Sequence, residues 1–497
     1  MTYKMKKLVT SLMFAAALVA PFAAGARNVS VSEAREAAAY YMERNTLEYG
    51  IKPADLVLLH QIDNEELGVP AVYAFNVSDR GWIIMTGSTA IDPVVGFGDE
   101  GNIDAWEKLA PAMRWWVETF ADAVKDVQMQ DVEGKFDDMP EWSDLFNQTL
   151  TVSAKDGDPR IILMKTYWDQ GETRNPTYNK RCPYDSTSHK YTYVGCVATA
   201  MSQIMRYYGF PLAATGGRVN YTTDSNQYFL KLKFDTLRFD YSLMPVRLNS
   251  YSSTSQVDEV ARLCYAAGVS VHMDYGTDGS GASSLSVPMA MANYFKYTQG
   301  VLTLRSSTST TNFLSMLRND LLLRRPAYMA GASSTGGGAD AAGHAWVCCG
   351  YRTDDSNQYY MNWGWSGGGD GFFNLRANTA ITPQGYGYNF NVRQEHITGM
   401  VPPHADSSSV DFLTAIDHVE SNTVLAPAYP NPAAVTVTLP YSTTVDAEWQ
   451  IFSIDGKLVT TRRLMPGNGE VELRVAEMPA GIYIYRMGGS SGKFIVQ

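Results

Sequence analysis

The feature that most constrains this chain is a cysteine at the start of an amphipathic segment, GCVATAMSQIMRYYGFP at 195–211. Apolar residues follow it at helical spacing, namely Val197, Ala200, Met201, Ile204, Met205 and Tyr208. This pattern predicts a helix with one buried face and with Cys196 at its amino end. A helix dipole and a nearby imidazolium together can lower a thiol pKa from about 8.5 to about 4. The segment therefore predicts a thiolate nucleophile that needs a histidine partner.

His344 is the histidine that best meets this need. The sequence GGGADAAGHAWVCCGY carries it from a glycine-rich segment onto the start of an apolar strand, 148 residues after Cys196. This order and separation are typical of papain-like peptidases, in which the His follows the Cys by about 130 to 150 residues. Taken alone, a cysteine among small residues indicates core packing, and a single histidine indicates a satisfied core residue. Together they favour catalysis.

A second aromatic block follows, YYMNWGWSGGGDGFF, which places Asn362, Trp363 and Trp365 where a strand enters a glycine-rich turn. Papain-like sites use an Asn to orient the imidazole and a Trp to shield that contact from water. The block therefore adds to the case for a Cys-His site.

The amino-terminal sequence predicts export. Lys4, Lys6 and Lys7 precede an apolar run from Leu8 to Ala20, and AAGA at 23–26 offers a small-residue cleavage site. We interpret residues 1–26 as a signal peptide, because the run is short for a membrane span and no later uncharged stretch reaches about 18 residues. The expected location is secreted or at the cell surface, after export through the periplasm.

The net charge of -11, with no basic cluster, argues against binding to nucleic acid or to anionic membranes, both of which need clustered Lys and Arg. A hydrophobic fraction of 45% can supply a large core, which makes disorder of the whole chain improbable. The simplest interpretation of the negative net charge is an acidic surface that keeps the protein soluble.

Five cysteines, Cys182, Cys196, Cys264, Cys348 and Cys349, leave at least one thiol free in an oxidising compartment. A zinc site is improbable because there is no CxxC pair, and a disulfide framework is improbable in so long a chain. We predict no metal and no cofactor.

Boundaries in the sequence divide the chain into several parts. Two helical patterns, at 31–45 and 104–127, flank a strand meander at 71–88 in a small α+β unit. Acidic and Ser-rich linkers then separate this unit, a central domain and a tail of alternating strands, which predicts a small β-sandwich. The predicted parts are a signal peptide (1–26), a propeptide (27–152), a catalytic domain (153–403), a linker (404–423) and a tail (424–497).

The central blocks resemble the streptopain family of secreted cysteine endopeptidases, in order along the chain. They are TYWDQGETRNPTYNKRCP, GCVATAMSQIM, VHMDYGTDGSGASS, GHAWVCCGY and MNWGWSGGGDGFF. The preceding unit resembles the inhibitory propeptide of that family. The tail, with AYPNPA, IFSIDGKLV and PAGIYIYRM, resembles the sorting domain of Por (type IX) secretion. The resemblance thus implies an α+β, papain-like peptidase made as a latent zymogen.

The same resemblance implies roles for individual residues. Cys196 is the expected nucleophile, His344 the proton acceptor, Gln170 an oxyanion donor beside the Cys196 N–H, and Trp363 the ring that closes over the imidazole. Asn362 is an expected orienter of the imidazole. Two further residues, Ser280 and Gly343, are expected to line the cleft and to bind the substrate backbone. The resemblance also implies a hydrophobic substrate residue two positions before the cut.

The expected partners are protein or peptide substrates, the chain's own propeptide as inhibitor and the type IX machinery, with the protein as a monomer. Two departures from the family pattern stand out. The segment GETRNPTYN after Gln170 is longer than usual, and Cys349 replaces a frequent Asp. The alternative function is a catalytically inactive papain-like surface binder or adhesin.

Overall fold

The structure is a computed structural model that describes thirteen stretches of the chain. They are residues 26–78, 80–130, 136–151, 153–332, 343–375, 394–403, 423–425, 428–443, 446–454, 457–465, 467–476, 478–487 and 490–497. The predicted signal peptide, apart from its last residue, and nearly all of the predicted linker at 404–423 lie outside the described residues. No helix within the described stretches is long and apolar enough to cross a membrane.

The amino-terminal part is an antiparallel sheet packed against helices. Its elements are α1 (Val31–Asn45), β1 (Leu56–Asn64), β2 (Val69–Val77), β3 (Trp82–Thr86), β4 (Val94–Gly98), α2 (Pro111–Gln130) and α3 (Pro140–Phe146). A capping box between Ser30 and Glu33 starts α1, as expected for Ser followed three residues later by Glu. The predicted helix at 31–45 is confirmed. The second predicted helix starts later than expected, at Pro111, because proline favours the first helical turn and residues 106–108 form a separate 3₁₀ turn.

In its described residues, the central part contains four α-helices and eleven strands. They are β5 (Arg160–Ile162), β6 (Tyr184–Asp185), β7 (Lys190–Tyr191), α4 (Cys196–Tyr208), β8 (Arg218–Thr222), β9 (Phe229–Lys233), α5 (Thr254–Ser270), α6 (Val287–Phe295), β10 (Val301–Leu304), α7 (Thr310–Leu322), β11 (Ala327–Ala332), β12 (Gly343–Arg352), β13 (Gln358–Asn362), β14 (Gly371–Asn374) and β15 (Glu395–Thr398). The helix predicted after Gly195 is confirmed as α4. It packs against α5 on one side and against β12 on the other.

One sheet joins the amino-terminal and central parts. Its strand order is β1-β2-β3-β4-β14-β13-β12-β11-β15-β10, with β5 paired to the end of β12. The junction is the antiparallel pair of β4 and β14, where Phe97 lies opposite Phe372. The rings of these two residues stack with centroids 5.5 Å apart. The amino-terminal part is thus bound to the central part by backbone pairing as well as by side-chain packing.

The tail has its own hydrophobic core between two antiparallel sheets. Its strands are β16 (Thr423–Leu425), β17 (Thr436–Thr443), β18 (Ala447–Ser453), β19 (Leu458–Leu464), β20 (Gly467–Arg474), β21 (Gly481–Met487) and β22 (Ser490–Val496). Three strands form one sheet, in the order β16-β17-β20, and four form the other, in the order β19-β18-β21-β22. Trp449, Ile451 and Phe494 are among the residues buried between them. The predicted β-sandwich is confirmed.

Candidate active site

Cys196 is the first residue of α4, so its thiol lies at the positive end of the helix dipole. The preceding residue, Gly195, has a φ of +88°, which L-residues with a side chain rarely adopt. A Cβ atom at this position would lie 2.6 Å from the sulfur of Met273. Glycine is therefore required here both for the backbone turn that presents Cys196 and for the close packing beneath it.

His344 reaches the thiol from β12, where its partner across the strand pair is Gly331 of β11. The imidazole Nε2 lies 3.0 Å from the carbonyl oxygen of Trp363. Because a carbonyl oxygen can only accept, Nε2 carries the proton and donates it. The other ring nitrogen, Nδ1, is left to interact with the Cys196 thiol, which borders the same cavity. The Trp363 carbonyl thus fixes the tautomer in which Nδ1 is available to the thiol.

The two groups shift each other's pKa in opposite directions. Burial alone would raise the pKa of Cys196, but the charge of His344, its hydrogen bond, and the backbone N–H groups of Ala345 and Val197 lower it below the ordinary thiol value. Burial would likewise lower the pKa of His344, and the thiolate together with the Trp363 carbonyl raises it. These opposite shifts favour a thiolate–imidazolium pair.

The other cysteines behave as core residues. All five are free, and Cys182, Cys264, Cys348 and Cys349 are buried, whereas Cys196 is partly exposed. Burial raises the pKa of each of these four thiols, in the case of Cys264 to about 12. Cys196 is therefore the only thiol of the chain with a lowered pKa.

The ring beside the imidazole is not the one expected from the sequence. The ring near the imidazole is that of Trp365, which meets His344 edge to face with centroids 6.1 Å apart. The ring of Trp363 is fully buried and packs instead on Trp346 and Phe373, at 5.1 and 5.0 Å. The expectation that the Trp363 ring closes over the imidazole is thus corrected. Trp363 acts through its backbone carbonyl, because the turn points this oxygen at His344.

Asn362 forms no hydrogen bond with the imidazole, which differs from its expected role as a direct orienter. Its side-chain oxygen accepts from Gln203 Nε2 at 3.0 Å and from the Gly364 N–H at 3.1 Å, and its amide nitrogen donates to the Thr166 carbonyl at 2.5 Å. Gln203 also accepts from the Thr166 hydroxyl. Since Gln203 belongs to α4, this network ties the helix of the nucleophile to the turn that holds the Trp363 carbonyl.

Asp370 is a residue of the site that sequence reasoning missed. Its carboxylate accepts the backbone N–H of Trp363 at 2.9 Å, and burial raises its pKa to about 8. It therefore helps to fix the turn whose carbonyl binds His344. The available signal was an acidic residue inside the glycine-rich sequence SGGGDGFF, in an otherwise apolar block.

The remaining predicted residues lie around the nucleophile in different ways. The backbone carbonyl of Gln170 accepts the N–H of Val194 at 3.0 Å, which keeps Gln170 beside the start of α4. The Ser280 hydroxyl donates to the Tyr193 carbonyl at 2.8 Å and accepts from the Gly276 N–H at 3.0 Å. Ser280 and Gly343 both line a cavity of about 570 Å³ that Cys196 and His344 also border.

The amino-terminal part covers the other side of the dyad. The Lys108 carbonyl accepts from Trp365 Nε1 at 3.1 Å, and the Trp115 ring lies 3.1 Å from where a Cβ of Gly331 would be. Trp116 packs edge to face on Trp346, with ring centroids 6.5 Å apart. In the full chain Cys196 and His344 still border the same cavity, so these contacts leave the imidazole beside the thiol.

Comparisons with known proteins match three parts of the chain to known families. Residues 168–373 match the Peptidase C10 family, residues 26–124 the Spi protease inhibitor and residues 427–497 the secretion system C-terminal sorting domain. Streptopain from Streptococcus pyogenes is 27% identical over 387 residues, which cover 74% of this chain and 91% of streptopain.

Two further proteins are similar to the chain. The thiol protease/hemagglutinin PrtT from Porphyromonas gingivalis is 27% identical over 349 residues, which cover 68% of this chain and 38% of PrtT. A prointerpain A fragment from Prevotella intermedia has the same fold, with a TM-score of 0.54 and 19% identity over 70% of this chain and 98% of the fragment. The chain is therefore a streptopain-like cysteine protease, with a catalytic domain that matches the Peptidase C10 family, an inhibitory propeptide domain before it and a secretion sorting domain after it.

Proposed function

We propose that this protein is a secreted endopeptidase that hydrolyses peptide bonds through a Cys196 thiolate and His344, and that its propeptide keeps it latent until processing. The observation that carries the proposal is the placement of Cys196, at the amino end of α4, in one cavity with His344, whose Nε2 donates to the Trp363 carbonyl at 3.0 Å. A cysteine with a lowered pKa, at a helix amino end and against an oriented imidazole, is the arrangement that nucleophilic catalysis requires.

The reaction follows from the positions of these groups. The Cys196 sulfur attacks the carbonyl carbon of the scissile bond, and the carbonyl oxygen takes up the negative charge. The imidazolium of His344 then gives its Nδ1 proton to the leaving amine, which departs and leaves a thioester. The neutral imidazole next takes a proton from a water molecule as the water oxygen attacks the thioester carbonyl. The carboxylic acid product then leaves, and the Cys196 thiolate and the His344 imidazolium are restored.

The oxyanion needs donors that are already in place. We assign this role to the Cys196 N–H, which the helix leaves without an intrahelical partner, and to the side-chain amide of Gln170. The bond between the Gln170 carbonyl and the Val194 N–H supports the assignment, because it keeps Gln170 close to the start of α4. Loss of one such donor typically costs about 3 kcal/mol in the transition state.

Latency is steric in this proposal. The amino-terminal part, 27–152, blocks the Trp365 side of the dyad and leaves the dyad assembled. Self-cleavage within 147–157 would release the catalytic domain, 153–403, and the exposure of residues 147–149 supports a nicking site there. The linker at 404–423 and the tail at 424–497 serve export, and the mature enzyme acts as a monomer, which light scattering would test.

The experiment combines thiol labelling with peptide hydrolysis. The full chain, allowed to process under reducing conditions, is treated with iodoacetamide, and the alkylated cysteine is identified by mass spectrometry. We expect alkylation at Cys196 with parallel loss of peptidase activity, whereas the four buried thiols provide the internal control. Cys196→Ala should abolish both signals. A Cys196→Ala protein that still cleaves peptides, or a wild-type protein inactivated by alkylation elsewhere, would refute the assignment.

A further inference from the structure

The cavity beside the dyad has apolar walls and one acidic residue. Its walls include Leu285, Leu304, Tyr328 and Ala330, and none of its described lining residues belongs to the amino-terminal part. Among these lining residues Glu395 is the only one with a carboxylate. No family feature noted in the sequence pointed to this residue.

Strand register places Glu395 in a row that leads away from the catalytic histidine. Glu395 is the first residue of β15 and pairs with Ala330 of β11, which in turn pairs with Ala345 of β12. Residues opposite one another across antiparallel strands share a face of the sheet. Ala345 directly follows His344, so its side chain lies on the face of β12 opposite to the imidazole, together with Ala330 and Glu395. This row lines the cavity that Cys196 and His344 also border, and its two alanines leave space in front of the Glu395 carboxylate.

The carboxylate is held in place, and no cation of the described residues neutralises it. Ser284 hydrogen-bonds to it, and the Ser284 hydroxyl lies 2.8 Å from the hydroxyl of Tyr328. Within the described residues no Lys, Arg or His forms an ion pair with Glu395. The nearby Arg305 is turned away, since it donates to Gln394 Oε1 at 2.8 Å and to the Leu375 carbonyl at 3.0 Å.

Partial burial of a carboxylate without a cationic partner costs free energy, because the charged form loses its hydration. For the same reason burial raises the pKa of Glu395. A ligand that brings a positive charge into the cavity removes this cost. Lys and Arg side chains match the rest of the cavity as well, because their aliphatic stems can contact its apolar walls while the charged head reaches the carboxylate.

Resting on the proposed function, we infer that this cavity receives the substrate side chain two positions before the scissile bond and that Glu395 selects Lys or Arg there. The residue at the scissile carbonyl lies over Cys196, and side chains of an extended substrate alternate in direction. The preceding residue is therefore the first whose side chain points into the row formed by Ala345, Ala330 and Glu395. This differs from the hydrophobic preference that the family resemblance implies.

The test uses fluorogenic peptides that differ only at the second position before the cut, with Arg, Lys, Leu, Met or Glu. Processed wild-type enzyme should cleave the Arg and Lys peptides with the highest kcat/KM and the Glu peptide with the lowest. In Glu395→Gln the ratio of kcat/KM for Arg over Leu should fall about tenfold to a hundredfold, as expected for loss of a hydrogen-bonded charge partner. We expect most of the change in KM, since the contact exists before the reaction begins.

Asp258→Asn provides the matched control. Asp258 is paired with Lys180 on the outer surface of α5, at 2.9 Å, and its loss should leave the Arg over Leu ratio unchanged. Titration of Cys196 with iodoacetamide corrects each variant for the fraction of folded enzyme. A preference for Leu over Arg in wild type, or a ratio unaltered in Glu395→Gln, would overturn the inference while Cys196-dependent cleavage still stood. Absence of any cleavage and of labelling would instead refute the proposed function.

Discussion

Removal of the Asn45 side chain should weaken the hold of the propeptide on the catalytic domain. Asn45 ends α1, and its side-chain oxygen accepts from Arg352 of β12 at 2.7 Å. Arg352 is only 1% exposed, and it also donates to Asp354 at 2.9 and 2.6 Å. The Arg352 guanidinium therefore forms a buried hydrogen bond between the catalytic domain and the propeptide. This hydrogen bond must break before the propeptide can separate.

The size of the effect follows from the charge of the donor. A hydrogen bond to a charged group contributes about 1.5 to 3 kcal/mol, and each 1.4 kcal/mol changes an equilibrium tenfold. Asn45→Ala should therefore raise the population of the separated form by about ten to a hundred and fifty times. When opening and closing are fast relative to cleavage, the rate of processing follows this population.

The assay is the lag before peptidase activity appears when the purified full chain is placed in reducing buffer. Asn45→Ala should shorten the lag in proportion to the increased opening. Asn76→Ala is the matched control, because Asn76 bonds only within the propeptide, to the Ile103 carbonyl at 2.8 Å and from the Ile103 N–H at 3.0 Å. Asn76→Ala removes comparable side-chain hydrogen bonds but leaves the contact between the propeptide and the catalytic domain unchanged.

Two results would refute this reasoning. An unchanged lag in Asn45→Ala would show that the bond with Arg352 does not limit separation. An equal shortening in both variants would show that processing depends on the stability of the propeptide alone. Thermal unfolding of both variants, in the Cys196→Ala background to prevent cleavage, would confirm that the two substitutions destabilise the propeptide to a similar extent.

Three further predictions concern the dyad and the tail. Iodoacetamide should alkylate Cys196 in the full chain before processing, since the dyad is assembled and borders an open cavity; alkylation that begins only after processing would contradict steric latency. The thiolate–imidazolium pair exists above the lowered pKa of Cys196 and below the raised pKa of His344. The alkylation rate should therefore increase with pH, and the midpoint of this increase should lie at a lower pH than for an ordinary thiol. His344→Ala should shift this rise to higher pH, and an unshifted profile would assign the effect to the helix dipole alone. Deletion of 424–497 should preserve peptidase activity of the purified protein and abolish its surface delivery, because the tail has a separate core; an inactive truncation that is still delivered would reverse these roles.

The amino-acid sequence by itself identified the candidate nucleophile, Cys196, and its candidate partner, His344. Helical periodicity after Gly195 is a local property of about four turns, and it specified both the position of α4 and Cys196 at its start. The apolar run after His344 likewise predicted the strand that presents the imidazole.

Only the tertiary structure decided how the imidazole is held and what the cleft prefers. The group that orients His344 is the backbone carbonyl of Trp363, which every residue type possesses, so no sequence pattern can identify it. The choice of Trp365 over Trp363 as the neighbouring ring depends on the path of one turn. Glu395 reaches the cavity through the register of β15 against β11, and long-range strand pairing of this kind is set by the packing of the whole sheet.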